Sequence, residues 1–207
     1  MYTISMFPKD SKEYELLSKL DTPEKIQSYL EKIPFNLEKK GDTCKSASMV
    51  LRDNTAHCIE GACLACTCRM LQGRKPHIVS LKVKQPDDDH ILIIFSQNGY
   101  YGALRKTNHP VLRYRDPIYR SIRELVMSYF HEYFLYTNGE KTLLGYSKPI
   151  NLKRYGTKWI TAEDDVWNIA EKIFDAPIVS IVPPQNKKYL RNATAFEQKI
   201  LRIQEWK

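Results

Sequence analysis

The stretch Thr55-Ala56-His57-Cys58-Ile59-Glu60-Gly61-Ala62-Cys63-Leu64-Ala65-Cys66 decides how the chain is read. Thr55 is a helix-capping residue type, and the small and apolar run behind it suits a helix. With Thr55 as N-cap, the expected helix covers about 56–72 and puts Cys58 at its third position. The unpaired N–H groups and positive dipole end of a first turn favour a thiolate there. Ile59, Ala62, Cys63, Leu64, Ala65, Cys66, Met70 and Leu71 leave little polar face, so the helix is expected at the centre of a domain. Gly73 stops it. His57 lies about 100° around such a helix from Cys58, a poor position for a base, and is expected at the surface.

The sequence that follows supplies a sheet. His77–Lys84 alternates and is rich in β-branched residues, as a strand does. His90-Ile91-Leu92-Ile93-Ile94-Phe95 is nearly all apolar, a strand covered on both faces. Asn98-Gly99 is a strong hairpin signal, and the return strand covers about 100–106. A two-residue turn pairs Gln97 with Tyr100 and brings Thr107 opposite His90; a one-residue bulge brings Asn108 there instead.

That order has chemical content. A thiol nucleophile needs a neighbouring base, and the base needs a third group to fix its tautomer. Cys58 is the candidate nucleophile and His90 the candidate base. Asn108 is the amide able to orient the imidazole, and Asp116, beyond Pro110, is its rival. The Cys58 backbone N–H is the natural oxyanion donor, and Asn54 is a candidate side-chain donor that reads equally well as a turn residue. His109 reads as a strand-end residue.

These residues resemble a family. Cys58-Ile59-Glu60-Gly61-Ala62 on a central helix, then a strand, then His90 leading a hairpin, is similar to the transglutaminase-like branch of the papain-like cysteine protease fold, over about residues 20–120. The resemblance implies an α+β fold with the nucleophile helix packed on an antiparallel sheet. It also implies chemistry through a thioester on Cys58, with His90 as general base and acid and Asn108 or Asp116 orienting it. The activity expected is a cysteine-dependent amide-bond hydrolase, peptidase or amidase, or an acyl transferase. The substrate would be a protein, a peptide or a small amide, and no cofactor is implied. The chain departs from the family where Ile91-Leu92-Ile93 replaces the usual Ala-Trp-type continuation after the histidine, and where Asp116-Pro117 falls late.

The rest of the chain reads as one domain, 1–207, with 137–207 an extension on the core. Helices are expected at about 11–20, 23–32 and 44–52 before the Cys58 helix, and at 118–135, 162–174 and 195–206 after the hairpin. The aromatics Tyr119, Tyr129, Phe130, Tyr133 and Phe134 of the 118–135 segment read as packing. Short strands are expected near 142–146, 157–160 and 178–182.

Composition narrows the classes. The chain has 207 residues, 43% hydrophobic and 27% charged, which is globular rather than disordered. The longest apolar run, Ile91–Phe95, is far too short for a membrane span. Met1-Tyr2-Thr3-Ile4-Ser5-Met6 lacks the basic-then-apolar pattern of an export signal. Five cysteines, four of them in 58–68, do not form a disulfide framework, so a reducing, cytoplasmic location is expected. Cys63-x-x-Cys66 is a weak metal pattern, because these sulfurs occupy several faces of one helix, and no metal is expected. The net charge of +8 permits nucleic acid, but the basic residues are scattered and nucleic acid is not favoured. The alternative to an enzyme is a degenerate binding module with a basic surface for nucleic acid or an acidic partner.

Overall fold

The computed structural model describes residues 6–207; the reading of the amino terminus as free of an export signal falls mainly on residues 1–5, outside the described residues. The fold is α+β: an open, wholly antiparallel sheet with helices against it. Four helices come first, α1 (Lys12–Lys19), α2 (Pro23–Lys32), α3 (Ala47–Asp53) and α4 (Cys58–Leu71). The first two start where expected, because Ser11 and Thr22 each accept from a first-turn N–H, whereas α3 starts at Ala47, where Ser46 accepts from Met49 N, rather than near 44. Pro23 takes the first helical position of α2, where its missing N–H costs nothing.

The strands β1 (His77–Val83), β2 (His90–Gln97), β3 (Tyr100–Leu104), β4 (Arg115–Tyr119), β5 (Leu143–Ser147), β6 (Ile150–Asn151) and β7 (Ile178–Ser180) follow. Their order across the sheet is β4-β3-β2-β1-β5-β7, with β6 also pairing β1. Asn98 and Gly99 both hold positive φ, 52° and 84°, so the hairpin closes on two residues with Gln97 opposite Tyr100, in the bulge-free register.

Burial on both faces follows from alternation. Ile91, Ile93 and Phe95 of β2 join the core beneath α1–α4 and α6 (Trp167–Phe174), whereas Leu92 and Ile94 join the core on the opposite face. That second core is completed by Leu125 and Val126 of α5 (Ile122–Met127) and by Tyr129, Phe130, Tyr133 and Phe134. These aromatics therefore pack against the sheet.

Several expectations are corrected. The helix at 118–135 breaks into strand β4, the short α5 and a 3-10 turn at Phe130–Glu132. Pairing of Tyr101 with Tyr119 and Ala103 with Arg115 draws the chain into the sheet, and Pro117 fits because β4 is an edge strand. Ser121 does cap a helix, accepting from Glu124 N at 3.1 Å, but only α5. The strand expected at 157–160 is a 3-10 turn, Lys158–Ile160. The helix expected from 162 starts at Trp167, without a side-chain cap. The terminal helix shortens to α7 (Ala195–Gln198) plus a 3-10 turn, Lys199–Arg202, although Thr194 and Glu197 do form the capping box. No helix among the described residues is long and apolar enough to cross a membrane.

Candidate active site at the start of α4

The helix that carries Cys58 starts two residues later than Thr55 capping would set it. His57 is the N-cap, with extended φ and ψ of −95° and −167°, and Cys58 is the first helical residue. Glu60, three residues on, accepts from the His57 backbone N–H at 2.9 Å. Thr55 is occupied elsewhere: its hydroxyl accepts from Lys45 Nζ at 2.6 Å. His57 thus lies outside the helix, and the helical rotation that would turn it away from Cys58 does not apply. Its Nδ1 lies 3.9 Å from the Cys58 sulfur. The ring is buried rather than at the surface, which corrects the expectation.

The imidazole is held from behind. Its Nε2 lies 2.8 Å from the Thr43 carbonyl, so Nε2 carries the proton and Nδ1 faces the sulfur. Carboxylates of Glu38 and Glu60 stand 3.5 and 3.4 Å from Nε2. Glu60 is fully buried and accepts from Thr43 Oγ1 at 2.7 Å, Asn36 Nδ2 at 3.1 Å and Lys45 N at 3.1 Å. Burial alone would lower the His57 pKa. The hydrogen bond and charge of Cys58, the Glu60 charge and the Thr43 carbonyl outweigh it and raise His57 to about 9.

Cys58 is the one half-buried cysteine of the five; the others are fully buried. Burial pushes the Cys44 and Cys68 thiols up to about 12 and raises Cys63 and Cys66 as well, so those four sulfurs are inert. Cys58 opens into a cleft of about 500 Å³, which His57, His90, Asn108, Trp167 and Phe174 also line. Trp167 and Phe174 stand two turns apart on α6 and give the cleft an apolar wall. The N–H groups of the first turn of α4 have no intrahelical acceptor; the first to bond back is Gly61 N, to His57 O at 2.9 Å.

The other sequence-derived candidates are placed as follows. His90 reaches the cleft from the end of β2, but its ring lies edge-on to Tyr133, centroids 5.6 Å apart, on the sheet face away from α4. It makes no side-chain hydrogen bond among the described residues. Burial, then the nearby Arg105 and His109, press its pKa well below the ordinary value, so it is neutral at physiological pH. Asn108 lines the same cleft, yet its amide is taken: Nδ2 donates to Trp206 O at 2.9 Å and Oδ1 accepts from Trp206 N at 2.8 Å. The cause is local. The β2–β3 ladder ends at Leu104, and Arg105 N turns away to donate to Gln27 Oε1 at 3.0 Å. Asp116 is exposed on edge strand β4, outside the cleft. Asn54 is the left-handed C-cap of α3, φ 49°, a turn residue outside the cleft.

The group that sequence reasoning passed over is His57. A signal for it was present, since His57-x-x-Glu60 has capping-box spacing and marks His57, not Thr55, as the cap. Comparison with protein-family models and with curated proteins finds no match to the chain.

Proposed function

We propose that the cleft performs thiol-dependent acyl chemistry, with Cys58 the nucleophile of an amide-bond hydrolase or acyl transferase. The observation that carries this reading is the contact of Cys58 Sγ with His57 Nδ1, 3.9 Å, at the open N-terminus of a buried helix. The fold reading goes with it: a nucleophile helix packed on an antiparallel sheet is the arrangement of the transglutaminase-like branch of the papain-like fold, and the α4-then-sheet order supports it.

Two imidazoles take part in this reading. His57, held by Thr43 O and the Glu60 charge, takes the Cys58 proton and pairs with the thiolate. The sulfur attacks the substrate carbonyl; a C–S bond forms and the oxygen gains charge. First-turn N–H groups of α4, Cys58 N foremost, are the donors for that oxyanion. His57, now protonated, protonates the leaving amine as the C–N bond breaks, directly or through a water held by the neutral His90. Water or a second amine then attacks the thioester, gives up its proton to an imidazole, and releases the thiolate. The apolar wall of Trp167 and Phe174 suits an apolar side chain next to the scissile carbonyl.

The test is iodoacetamide at neutral pH, read by peptide mass spectrometry, together with capture of an acyl-enzyme from an activated ester. Cys58 is expected to label first and to retain the acyl group. Equal labelling of all five cysteines, or an acyl group that survives in Cys58→Ala, refutes the reading.

A further inference from the structure

The far end of α4 opens into a second pocket, of about 600 Å³. Arg69 follows Cys58 by eleven positions, so the two residues stand about 16 Å apart along the helix. The second pocket has a charge pattern unlike the first. Arg69 comes from the last turn of α4, Gly73 at φ 68° turns the chain, and Arg74 and Lys75 follow before His77 opens β1. No Asp or Glu lines it.

Three cations are thus gathered with no carboxylate to meet them. Arg74 and Lys75 are exposed and enter no ion pair among the described residues. Arg69 is the informative member. It is only 8% exposed; its Nη1 donates to Gln72 Oε1 at 2.9 Å, but its Nε has no hydrogen-bond partner. A buried guanidinium donor without an acceptor costs free energy unless something fills its place. The helix C-terminus does not account for it. The end carbonyls are met by backbone: Cys68 O by Gln72 N at 3.1 Å, Arg69 O by Arg74 N at 2.8 Å, and Met70 O by Gly73 N at 3.0 Å. Like charge adds to the cost, since burial and then the Arg74 charge hold the Arg69 pKa below its ordinary value. The rest of the lining includes the uncharged Ile94, Tyr101 and Ile122.

We propose that this pocket binds a phosphate group, with the anion among Arg69, Arg74 and Lys75 and any apolar body of the ligand against Tyr101. Phosphate fits better than a single carboxylate because it offers several acceptor oxygens and up to two charges to three cationic side chains, two of them planar forks. A walled pocket of this size takes a small phosphorylated molecule rather than a polymer backbone.

Titration calorimetry tests this with sodium pyrophosphate and inorganic phosphate as probes, at ionic strength fixed with sodium chloride. Saturable one-site binding is expected, tighter for pyrophosphate. The double variant Arg74→Ala/Lys75→Ala, on exposed side chains free of ion pairs, is expected to bind at least about tenfold more weakly. Arg69→Lys keeps the charge, loses the fork, and is expected to weaken binding about fivefold. Cys58→Ser should bind as the parent does, so this result is independent of the thiol chemistry. Absence of saturable binding, or binding unchanged in the double variant, overturns the proposal. So does tight, salt-sensitive capture of a single-stranded RNA that pyrophosphate fails to displace, which would make the region a nucleic-acid surface.

Discussion

Gly61 of α4 lies directly against Lys106: a Cβ built on Gly61 would stand 2.5 Å from the Lys106 Cβ and 3.5 Å from Leu30 Cδ2. Lys106 cannot retreat. Its ammonium is buried and donates to Leu30 O at 2.9 Å and to Ile33 O, capping the end of α2. The missing side chain at Gly61 therefore sets how closely the nucleophile helix approaches the segment after β3, and with it the width of the cleft. Gly61→Ala gains up to about 1 kcal/mol in helix propensity. It meets an overpacking cost of about 1–3 kcal/mol or more. A net loss of about 1–2 kcal/mol is expected by urea unfolding. A variant more stable than the parent would contradict the contact.

The pair of His57 and Cys58 gives stability a direction with pH. The folded pKa of His57 is raised to about 9, above its value of about 6.5 in the unfolded chain. The protonated ring is thus favoured by the fold. Its contribution is fully present below about pH 6.5 and is lost as pH rises through about 9, by at most about 3 kcal/mol. Urea unfolding between pH 6 and about 9.5 should show this decline in the parent and a flatter profile in His57→Gln. Equal slopes would mean that the imidazole is not held by its neighbours.

What the sequence disclosed and what it hid divide along a physical line. Local signals were sufficient where one turn or cap decides the conformation. Asn98-Gly99 closed in the bulge-free one of the two registers open to it, and Ser11 and Thr22 capped as expected. The unbroken apolar run of β2 disclosed a strand buried on both faces. Long-range pairing overrode local preference at 115–119, where β3 draws in residues whose composition also suits a helix start. Of the candidate site, the sequence singled out Cys58 and His90, and the two line one cleft. The partner of the sulfur was not legible, because His57 becomes a neighbour only when the helix starts one residue after it. Asn108 could not be placed from hairpin register, since the ladder stops at Leu104 and a backbone from the far C-terminus claims its amide.

The two imidazoles of the cleft should separate kinetically. His57 touches the sulfur, so His57→Ala is expected to slow alkylation of Cys58 by about tenfold or more. His90 packs on Tyr133 and does not contact the thiol through any hydrogen bond among the described residues, so His90→Ala should leave alkylation within about twofold. If His90 holds the water that carries the proton from His57 to the leaving amine, the same variant lowers amide turnover by about a hundredfold while an activated ester, whose leaving group needs no proton, is spared. Loss of alkylation in His90→Ala with none in His57→Ala would exchange the two roles.

The C-terminal segment is tied to the rim of the cleft by Asn108, and this tie distinguishes a strap from a catalytic orienter. Both amide atoms of Asn108 engage the Trp206 backbone, Glu205 N donates to Asn108 O at 3.1 Å, and Gln204 lines the cleft beside Cys58. Asn108→Ala removes two hydrogen bonds and leaves the backbone groups of Trp206 to water, a cost of about 1–3 kcal/mol. Asn108→Asp keeps an acceptor for Trp206 N but cannot donate to Trp206 O when ionised, so it should be intermediate. Hydrogen exchange at residues 203–207 is expected to rise in both variants, most in the alanine, before any other region responds. A strap loses turnover only in proportion to the release of that segment. An orienter of His90 would instead lose turnover with residues 203–207 still protected, and that outcome would place the amide on the imidazole during the reaction rather than on Trp206.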